Sequence, residues 1–329
     1  MSAITQDAEY RALLRYSAGI GNDPALVQGA GGNVSLKRDG VLWVKASGTW
    51  LAHAQTQPIM VPVALDPLLA AVARDDAAAM ENAAQFVVAE RDTAGLRPSI
   101  ETTLHALLPH PVVVHVHCVE TLAWACRADA ATALAPLLHG LRWDFVPYVR
   151  PGAPLARAVR TRQRPGTEIL VLGNHGLVVG AADTQAAAAL VAEVARRLRR
   201  TPRAAPAAGA LSAPPGYAPA ADPLTHGIAT DPAALAVARR GSLYPDHVIF
   251  LGPGIVETPA HAATMLVVPG VGVLLRSGAA AGAVALARCL ADVTARLAPD
   301  EPLRPLTPAE ESELLGWDAE QYRKALDRR

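Results

Sequence analysis

The amino-acid sequence predicts an α/β fold with a mixed sheet. Short apolar runs rich in Val, Leu and Ile alternate along the chain with longer stretches whose apolar residues recur at helical spacing. This alternation is typical of a sheet covered by helices. The chain has 329 residues, of which 51% are hydrophobic, so it is long enough for one large domain or two modest ones with a substantial core.

The first 200 residues contain most of the predicted elements. An amphipathic helix covers residues 4–20, and a glycine-rich turn at 28–32 leads into two strands joined by a hairpin turn at 38–40. We expect further strands at residues 112–118, 145–148, 168–172 and 176–180. We expect further helices at residues 66–90, with a break near Arg74, and at 98–108, 119–138, 154–163 and 183–200.

The composition changes after residue 200. Residues 201–224 lack periodicity and contain repeated prolines, which predicts a linker or a surface arm. We therefore expect a metal domain over 1–200, this linker, and a smaller C-terminal α/β unit over 225–329. The elements expected in that unit are helices at 231–239 and 279–297, strands at 247–251, 264–268 and 271–275, and two short helices within 307–329.

Charge and cysteine content exclude several classes of protein. The chain has 30 acidic and 30 basic residues, so no global field attracts nucleic acid or an anionic membrane. The N-terminus lacks the pattern of a signal peptide, and no apolar stretch is long enough to predict a membrane span. The three cysteines are too few for a disulfide scaffold, which favours a cytoplasmic protein.

Three histidines predict a metal site. His115 and His117 alternate with valines in an apolar run, so on a strand both imidazoles project from the same face. His175 lies in a turn flanked by glycines, between two apolar strands. Each histidine alone is more typical of a buried or turn residue. Three imidazoles with an open fourth position, however, are typical of catalytic zinc, so the sequence predicts a site for zinc or another divalent metal.

Glu101 opens the helix that is expected before the histidine strand. A glutamate at a helix start is commonly a capping residue or complements the helix dipole. A carboxylate beside a metal-bound substrate can also move the proton that chemistry next to a carbonyl requires, so Glu101 is the candidate acid/base. His105 shares the helical face of Glu101. We interpret it as an ordinary helix histidine, with a place in the outer shell of the metal site as the alternative.

Small donor-rich turns predict a site for an anion. Asn33 follows the glycine-rich turn, Ser47 and Gly48 follow the second strand, and Ser99 precedes Glu101. Backbone N–H groups and hydroxyls in such turns bind phosphate or carboxylate, and Lys45 adds a positive charge. Hairpin geometry explains the glycine-rich turn equally well.

Five motifs in a fixed order resemble the class II aldolase/adducin family. They are Gly-Gly-Asn-Val-Ser, Lys-Ala-Ser-Gly-Thr, Pro-Ser-Ile-Glu, His-Val-His and Gly-Asn-His-Gly, all within residues 28–180. The resemblance implies that Glu101 is the catalytic acid/base and that His115, His117 and His175 bind zinc. It also implies a three-layer α/β/α fold with a mainly antiparallel central sheet, and a homotetramer with active sites at subunit interfaces.

Other segments refine the resemblance. Leu243-Tyr-Pro-Asp-His-Val and Val268-Pro-Gly-Val-Gly-Val resemble the aldolase part of bacterial proteins in which a rhamnulose-phosphate aldolase is fused to an alcohol dehydrogenase. No Gly-x-Gly-x-x-Gly follows a strand, so we expect no nicotinamide chemistry. Ala30 and Ile100 stand where small sugar-phosphate aldolases of the family use hydroxyl residues to hold phosphate, which makes a phosphorylated substrate plausible rather than required.

The leading hypothesis is a zinc-dependent aldolase that cleaves a ketose or ketose phosphate through a metal-stabilised enediolate. Decarboxylation of a 3-oxo acid and epimerisation of a pentulose phosphate would use the same residues, and the sequence barely separates these reactions. The alternative from another class is a non-catalytic, adducin-like assembly module, against which the three histidines and Glu101 argue. The expected partners are a small sugar or sugar phosphate and further copies of the chain.

Overall fold

The structure is a computed structural model that describes residues 3–92, 94–258, 263–318 and 326. The chain divides into two compact units, each built from separate stretches of sequence. The first comprises Met1–His117, Leu138–Leu172 and Gly176–Arg197, and the second comprises Cys118–Leu137, Gly173–His175 and Leu198–Arg329. The sequence-based division at residues 200 and 224 therefore stays a prediction.

Within the described residues, seven strands form the sheet of the first unit. They are β1 (Asn33–Arg38), β2 (Val41–Lys45), β3 (Met60–Ala64), β4 (Val112–Val116), β5 (Trp143–Val146), β6 (Ile169–Leu172) and β7 (Gly176–Ala181). Their order is β3-β2-β1-β4-β7-β6-β5, and each neighbouring pair is antiparallel except β5 with β6. The α/β fold with a mainly antiparallel sheet is therefore confirmed.

Strand β4 lies at the centre of this sheet, between β1 and β7. Its sequence Val-Val-Val-His-Val is buried throughout, as expected of β-branched residues in a strand that is covered on both faces. The register pairs His115 with Asn33 of β1 and with Val178 of β7. Because both edges of β4 are paired, the histidine strand is held on two sides.

Helices alternate with these strands, as the sequence predicts. The α-helices in the described residues are α1 (Ala8–Gly21), α2 (Leu65–Ala73), α3 (Ala77–Glu81), α4 (Thr102–Leu107), α5 (Val119–Ala125), α6 (Ala130–Leu137), α7 (Ala153–Arg162), α8 (Thr184–Arg197), α9 (Gly227–Thr230), α10 (Pro232–Ala238), α11 (Pro245–Leu251), α12 (Ala281–Thr294) and α13 (Pro308–Leu315). Short 3-10 helices cover Ala3–Gln6, Leu51–His53, Ala83–Phe86 and Pro223–His226.

The core of the first unit forms where α4 and α7 pack on the sheet. A buried apolar cluster joins these helices to strands β4 to β7; its members are Leu104, Leu108, Val113, Val146, Leu155, Val159, Leu170, Leu172 and Val178. Helices α1 and α8 pack against each other, α1 also against β1 and α8 against β4 and β7. The helix that carries Glu101 at its start is thus fixed to the sheet by its apolar side chains.

Two of the predicted helices are broken in ways that local geometry explains. The helix expected over 66–90 ends at Ala73, because Asp75 adopts a left-handed conformation with φ of 55° and Asp76 then caps α3. The helix expected over 119–138 divides into α5 and α6, because Arg127 forms a β-bridge with Leu303. Such a bridge joins residues far apart in sequence, so periodicity does not reveal it.

The helix expected over 98–108 begins later, at Thr102. Pro98 forms a β-bridge with Ala46, so the chain is extended at the position where the sequence suggests a helix start. Glu101 is the residue before the first helical one, with φ of −99° and ψ of 13°. It therefore lies at the start of α4 rather than within its first turn.

The strand predicted at residues 247–251 is wrong, because Pro245–Leu251 form helix α11. Pro245 occupies the first turn, where proline is favoured, and Asp246 adds a negative charge at the positive end of the helix. All seven residues are buried. A short apolar run that is buried on all sides shows no periodicity, so strand and helix cannot be told apart from its pattern.

The second unit contains a smaller sheet of three strands in the described residues, β8 (Tyr217–Pro219), β9 (Met265–Val268) and β10 (Gly272–Arg276). Strand β8 comes from the predicted linker and pairs antiparallel with β10. Of the two short helices expected within 307–329, α13 is present, and the other falls mostly outside the described residues. In the part of the chain that is described, no helix is both long and apolar enough to cross a membrane.

Lys37 fastens β1 to the end of α4. Its ammonium group donates hydrogen bonds to the carbonyl oxygen of Leu108 and, over 3.0 Å, to that of His110. Leu108 directly follows the last residue of α4, and a positive charge at this end complements the helix dipole. Burial lowers the pKa of Lys37 to about 7.

We expect Lys37 to make stability depend on pH. Because its pKa is about 7 in the folded protein and near 10.5 when unfolded, the unfolded chain binds more protons between these values. The free energy of unfolding of the wild type, relative to Lys37→Met, should therefore increase with pH from 7 to 10, by up to about 1.4 kcal/mol per pH unit. Urea unfolding at several pH values measures it.

The matched control for this experiment is Arg38→Met on the same strand. An arginine remains charged throughout this range, so the difference between wild type and that variant should stay constant with pH. A constant difference for Lys37→Met as well would contradict the expectation.

Candidate metal centre

Two of the three candidate ligands come from the central strand. His115 lies in β4 and His117 directly after it, and the two rings lie at 67° with centroids 4.9 Å apart. Their Nε2 atoms are 3.1 Å apart. Both side chains are buried, because the strand that carries them lies between two others and under helices.

The third candidate, His175, lies in the turn that joins β6 to β7. Asn174 adopts a left-handed conformation with φ of 53°, and its amide donates to the carbonyl oxygens of Leu243 and Arg304 over 2.9 and 2.7 Å. On the other side of His175, a Cβ atom on Gly176 would lie 2.5 Å from the carbonyl oxygen of Val116. Only glycine allows this approach of the hairpin to β4.

The structure brings the three histidines together as a buried cluster. One ligand atom from each of His115, His117 and His175 lies within 4.8 Å of the others, and all three residues are buried. The sequence predicted this combination from an i, i+2 pair and a distant turn residue.

The hydrogen bonding of His115 suits a metal ligand. Its Nδ1 lies 3.0 Å from the carbonyl oxygen of Leu177, which can only accept, so Nδ1 carries the proton and Nε2 presents a lone pair. The Nε2 of His117 lies 3.1 Å from the Nε2 of His115. Two nitrogens bound to one tetrahedral zinc at 2.0–2.1 Å are about 3.3 Å apart, so this spacing fits a shared ion.

Glu101 lies beside these ligands. Its Oε2 is 3.4 Å from the Nε2 of His115, and it accepts a hydrogen bond of 2.8 Å from the Nδ2 of Asn33. The hydroxyl oxygen of Ser99 accepts from the backbone N–H of Glu101 over 3.2 Å, which fixes the start of α4. The side chain of Glu101 is buried, so its carboxylate is held by protein groups next to the candidate metal ligands.

The residues proposed for anion binding are only partly brought together. Asn33 and Ser99 lie beside Glu101 and are joined by a hydrogen bond of 3.3 Å. Lys45 is buried, and its ammonium group donates to the carbonyl oxygen of Ala30 in the glycine-rich turn over 3.1 Å. Ser47 lies after the end of β2, and its backbone N–H donates a hydrogen bond of 2.9 Å to the carbonyl oxygen of Arg97. The next residue, Gly48, adopts a left-handed backbone conformation with φ of 75°.

Two further residues border the site. His105 is wholly buried and contacts Asn33 and Ser35, so it is more than the ordinary helix histidine that we favoured from the sequence. The side-chain amide of Gln28 donates to the carbonyl oxygens of Pro24 and, over 3.4 Å, of His117. No separate signal in the sequence points to Gln28, although it is the first residue of the glycine-rich turn.

We expect the histidine cluster to bind a divalent metal in the purified protein. Loss of an outer hydrogen-bond partner of a metal ligand commonly weakens metal binding about 10–100-fold, so removal of a ligand in His117→Ala should cost at least that much. Metal content per chain, determined by mass spectrometry after dialysis, measures the effect. His53→Ala, which removes an exposed histidine, is the control and should bind metal like the wild type. Equal metal content in both variants would reject the site.

A curated bacterial protein is similar to about half of this chain. An uncharacterized oxidoreductase of Bacillus subtilis, YuxG, is 33% identical over 170 residues, which cover 48% of this chain and 24% of that protein. The chain thus spans about a quarter of the length of this curated relative.

Solved structures are similar to more than half of the chain. The N-terminal class II aldolase domain of a conserved protein from Thermoplasma acidophilum is 28% identical with a TM-score of 0.51, over 59% of this chain and 92% of that one. YgbL from Klebsiella pneumoniae, described as a putative aldolase/epimerase/decarboxylase, is 23% identical with a TM-score of 0.42, over 57% and 87%.

The family described as Class II Aldolase and Adducin N-terminal domain matches residues 13–200, which is more than half of the chain. The matched range contains all three candidate ligands and Glu101. The chain therefore belongs to the class II aldolase and adducin family.

Proposed function

We propose that this protein is a zinc-dependent aldolase that cleaves the C3–C4 bond of a ketose or ketose phosphate, next to the carbon that bears the carbonyl group. The observation that carries the proposal is the position of Glu101, whose carboxylate oxygen lies 3.4 Å from the Nε2 of His115, a member of the buried histidine cluster. A carboxylate that only capped a helix would not need to lie beside a candidate metal ligand. Membership of the class II aldolase and adducin family supports the same conclusion.

Three nitrogen ligands favour zinc, since zinc prefers imidazole and a tetrahedral site with one open position. When bound to His115, His117 and His175, zinc would supply Lewis-acid stabilisation of negative charge on the substrate oxygens. The carboxyl group of Glu101 would hold the proton and deliver it to the carbon atom from which the aldehyde has departed. In the direction of synthesis, the same carboxylate would remove that proton.

A second set of residues would hold the far end of the substrate. We propose that the hydroxyls of Ser47 and Ser99, the N–H of Gly48 and the ammonium group of Lys45 surround an anionic or polyhydroxyl group, with Asn33 at its edge. Ala30 and Ile100 supply no hydroxyl. Two missing hydrogen bonds of about 0.5–1.5 kcal/mol each would weaken phosphate binding about tenfold to a hundredfold. Phosphate is therefore proposed as optional.

The same site supports a second candidate function. Decarboxylation of a 3-oxo acid leaves the same kind of carbanion for Glu101 to protonate, and it needs no phosphate. The absence of hydroxyls at Ala30 and Ile100 favours this alternative over a pentulose-phosphate epimerase. A non-catalytic assembly module is disfavoured by the buried cluster of ligands.

The wider organisation is also proposed. We assign residues 1–200 to the metal domain, 201–224 to a linker and 225–329 to the C-terminal α/β unit; the family match, which ends at residue 200, supports the first boundary. We further propose a cytoplasmic homotetramer that acts in carbohydrate metabolism. Light scattering of the purified protein tests the oligomeric state.

We expect Glu101→Gln to lose about 100- to 10,000-fold in kcat, because the amide cannot transfer the proton, while it keeps the size of the side chain. The measurement is a screen of ketose phosphates, free ketoses and 3-oxo acids with metal-loaded protein. Bound metal should stay at the level of the wild type, since Glu101 is not among the three ligands.

The screen separates the candidate functions. Aldehyde release from a ketose supports the aldolase, and carbon dioxide release from a 3-oxo acid supports the decarboxylase. Full turnover in Glu101→Gln would reject the proton-transfer function of Glu101. Absence of turnover by the wild type on every substrate would reject the aldolase proposal.

A further inference from the structure

A row of buried hydrogen bonds leads away from Glu101. It passes from the carboxylate to Asn33, from Asn33 to His105, and from His105 to Ser35. We infer that His105 is a positioning residue, which holds Glu101 in its catalytic orientation by fixing the side-chain amide of Asn33. The inference rests on the proposed function for the catalytic part played by Glu101.

The direction of each hydrogen bond follows from the carboxylate. An ionised carboxylate only accepts, so the Asn33 atom 2.8 Å from Oε2 is the amide nitrogen, Nδ2. The amide oxygen, Oδ1, then faces His105 and needs a donor. His105 supplies it from Nε2.

The tautomer of His105 is thereby determined. With the proton on Nε2, Nδ1 is an acceptor, and the hydroxyl of Ser35 lies 2.8 Å from it as the donor. Ser35 then donates to His105, His105 donates to Asn33, and Asn33 donates to Glu101. A flipped Asn33 amide would place its oxygen against the carboxylate, so His105 acts by excluding that orientation.

Burial keeps this arrangement in a single protonation state. His105 and Ser35 are both wholly buried. Burial lowers the pKa of His105 to about 3, although the nearby Glu101 opposes the shift, so the imidazole is neutral near pH 7. A neutral imidazole has one N–H, and the Oδ1 of Asn33, which only accepts, places that proton on Nε2.

The row also links two elements of the fold. Glu101 and His105 lie one turn apart on α4, joined by a backbone hydrogen bond of 3.1 Å, whereas Asn33 and Ser35 lie on the same face of β1. His115 is the register partner of Asn33 on β4. Asn33 is therefore placed by the sheet next to the metal ligand, and His105 sets the direction in which its amide points.

The amide of Asn33 is fully used by these contacts. Its nitrogen donates to Glu101 and, over 3.3 Å, to the hydroxyl of Ser99, and its oxygen accepts from His105. An amide offers two donor hydrogens, and here both have acceptors. This favours a positioning function for Asn33 over direct contact with an anion.

The first test separates positioning from a merely structural effect. His105→Leu removes the N–H donor, and we expect kcat to decrease about 10–100-fold while KM and bound metal are unchanged. His105→Gln keeps an amide N–H and should recover part of the loss. Thr103→Val is the matched control, since it removes a buried hydrogen bond of 2.8 Å to Met80 from the same helix, and its kcat should equal that of the wild type.

A double-mutant cycle with Glu101→Gln gives the decisive comparison. If His105 acts through Glu101, then His105→Leu should cause little further loss of kcat once Glu101 is replaced. Undiminished kcat in His105→Leu, an equal loss in Thr103→Val, or an additive loss in the double mutant would overturn the inference.

The second test does not depend on activity. Nitrogen-15 NMR of histidine-labelled full-length wild type distinguishes the two tautomers, and we expect His105 to carry its proton on Nε2 in both metal-free and metal-loaded protein. Asn33→Ala should remove this preference. A proton on Nδ1 in the wild type would overturn the inference, whereas failure of the proposed function would appear separately, as a wild type without turnover.

Discussion

Strand β4 pairs with β1 and β7, and the register of the first pairing places His115 directly beside Asn33. Side chains alternate between the faces of a strand, so a shift by one residue would turn the ligand to the other face. The backbone at Gly32 approaches β4 closely: its φ is 61°, and a Cβ atom at this residue would lie 2.7 Å from the carbonyl oxygen of His115. The position of Asn33, which donates to Glu101, relative to His115 thus follows from a backbone ladder.

Such a ladder places polar groups where water does not reach them, and each then needs a partner. Asn33, Ser99, Glu101 and His105 are all buried, and hydrogen bonds join them to one another or to Ser35. Apolar residues of the same size would commonly give equal or greater stability than buried polar and charged groups. A buried network at this position is therefore consistent with the proton transfer proposed for Glu101.

The sequence predicts those features that depend on near neighbours along the chain. The alternation of His115 with valines gives a strand with both imidazoles on one face, and the glycines around His175 give a turn. The contact of His105 with Asn33 depends instead on how α4 lies across β1, which no local pattern contains. Helix α11 was missed because all its residues are buried, and the break at Arg127 because its partner, Leu303, is distant in sequence.

The surroundings of Glu101 and the proposed anion side of the site differ in how many hydrogen-bonding groups they supply. Around Glu101 each hydrogen-bonding group on Asn33 has a partner, whereas the anion side lacks hydroxyls at Ala30 and Ile100. Proton transfer tolerates little displacement, because a carboxylate must reach one particular carbon atom. Substrate binding tolerates more, since each ordinary hydrogen bond contributes only about 0.5–1.5 kcal/mol. Under the proposed function, substitutions on the anion side would therefore change substrate binding more readily than the type of reaction.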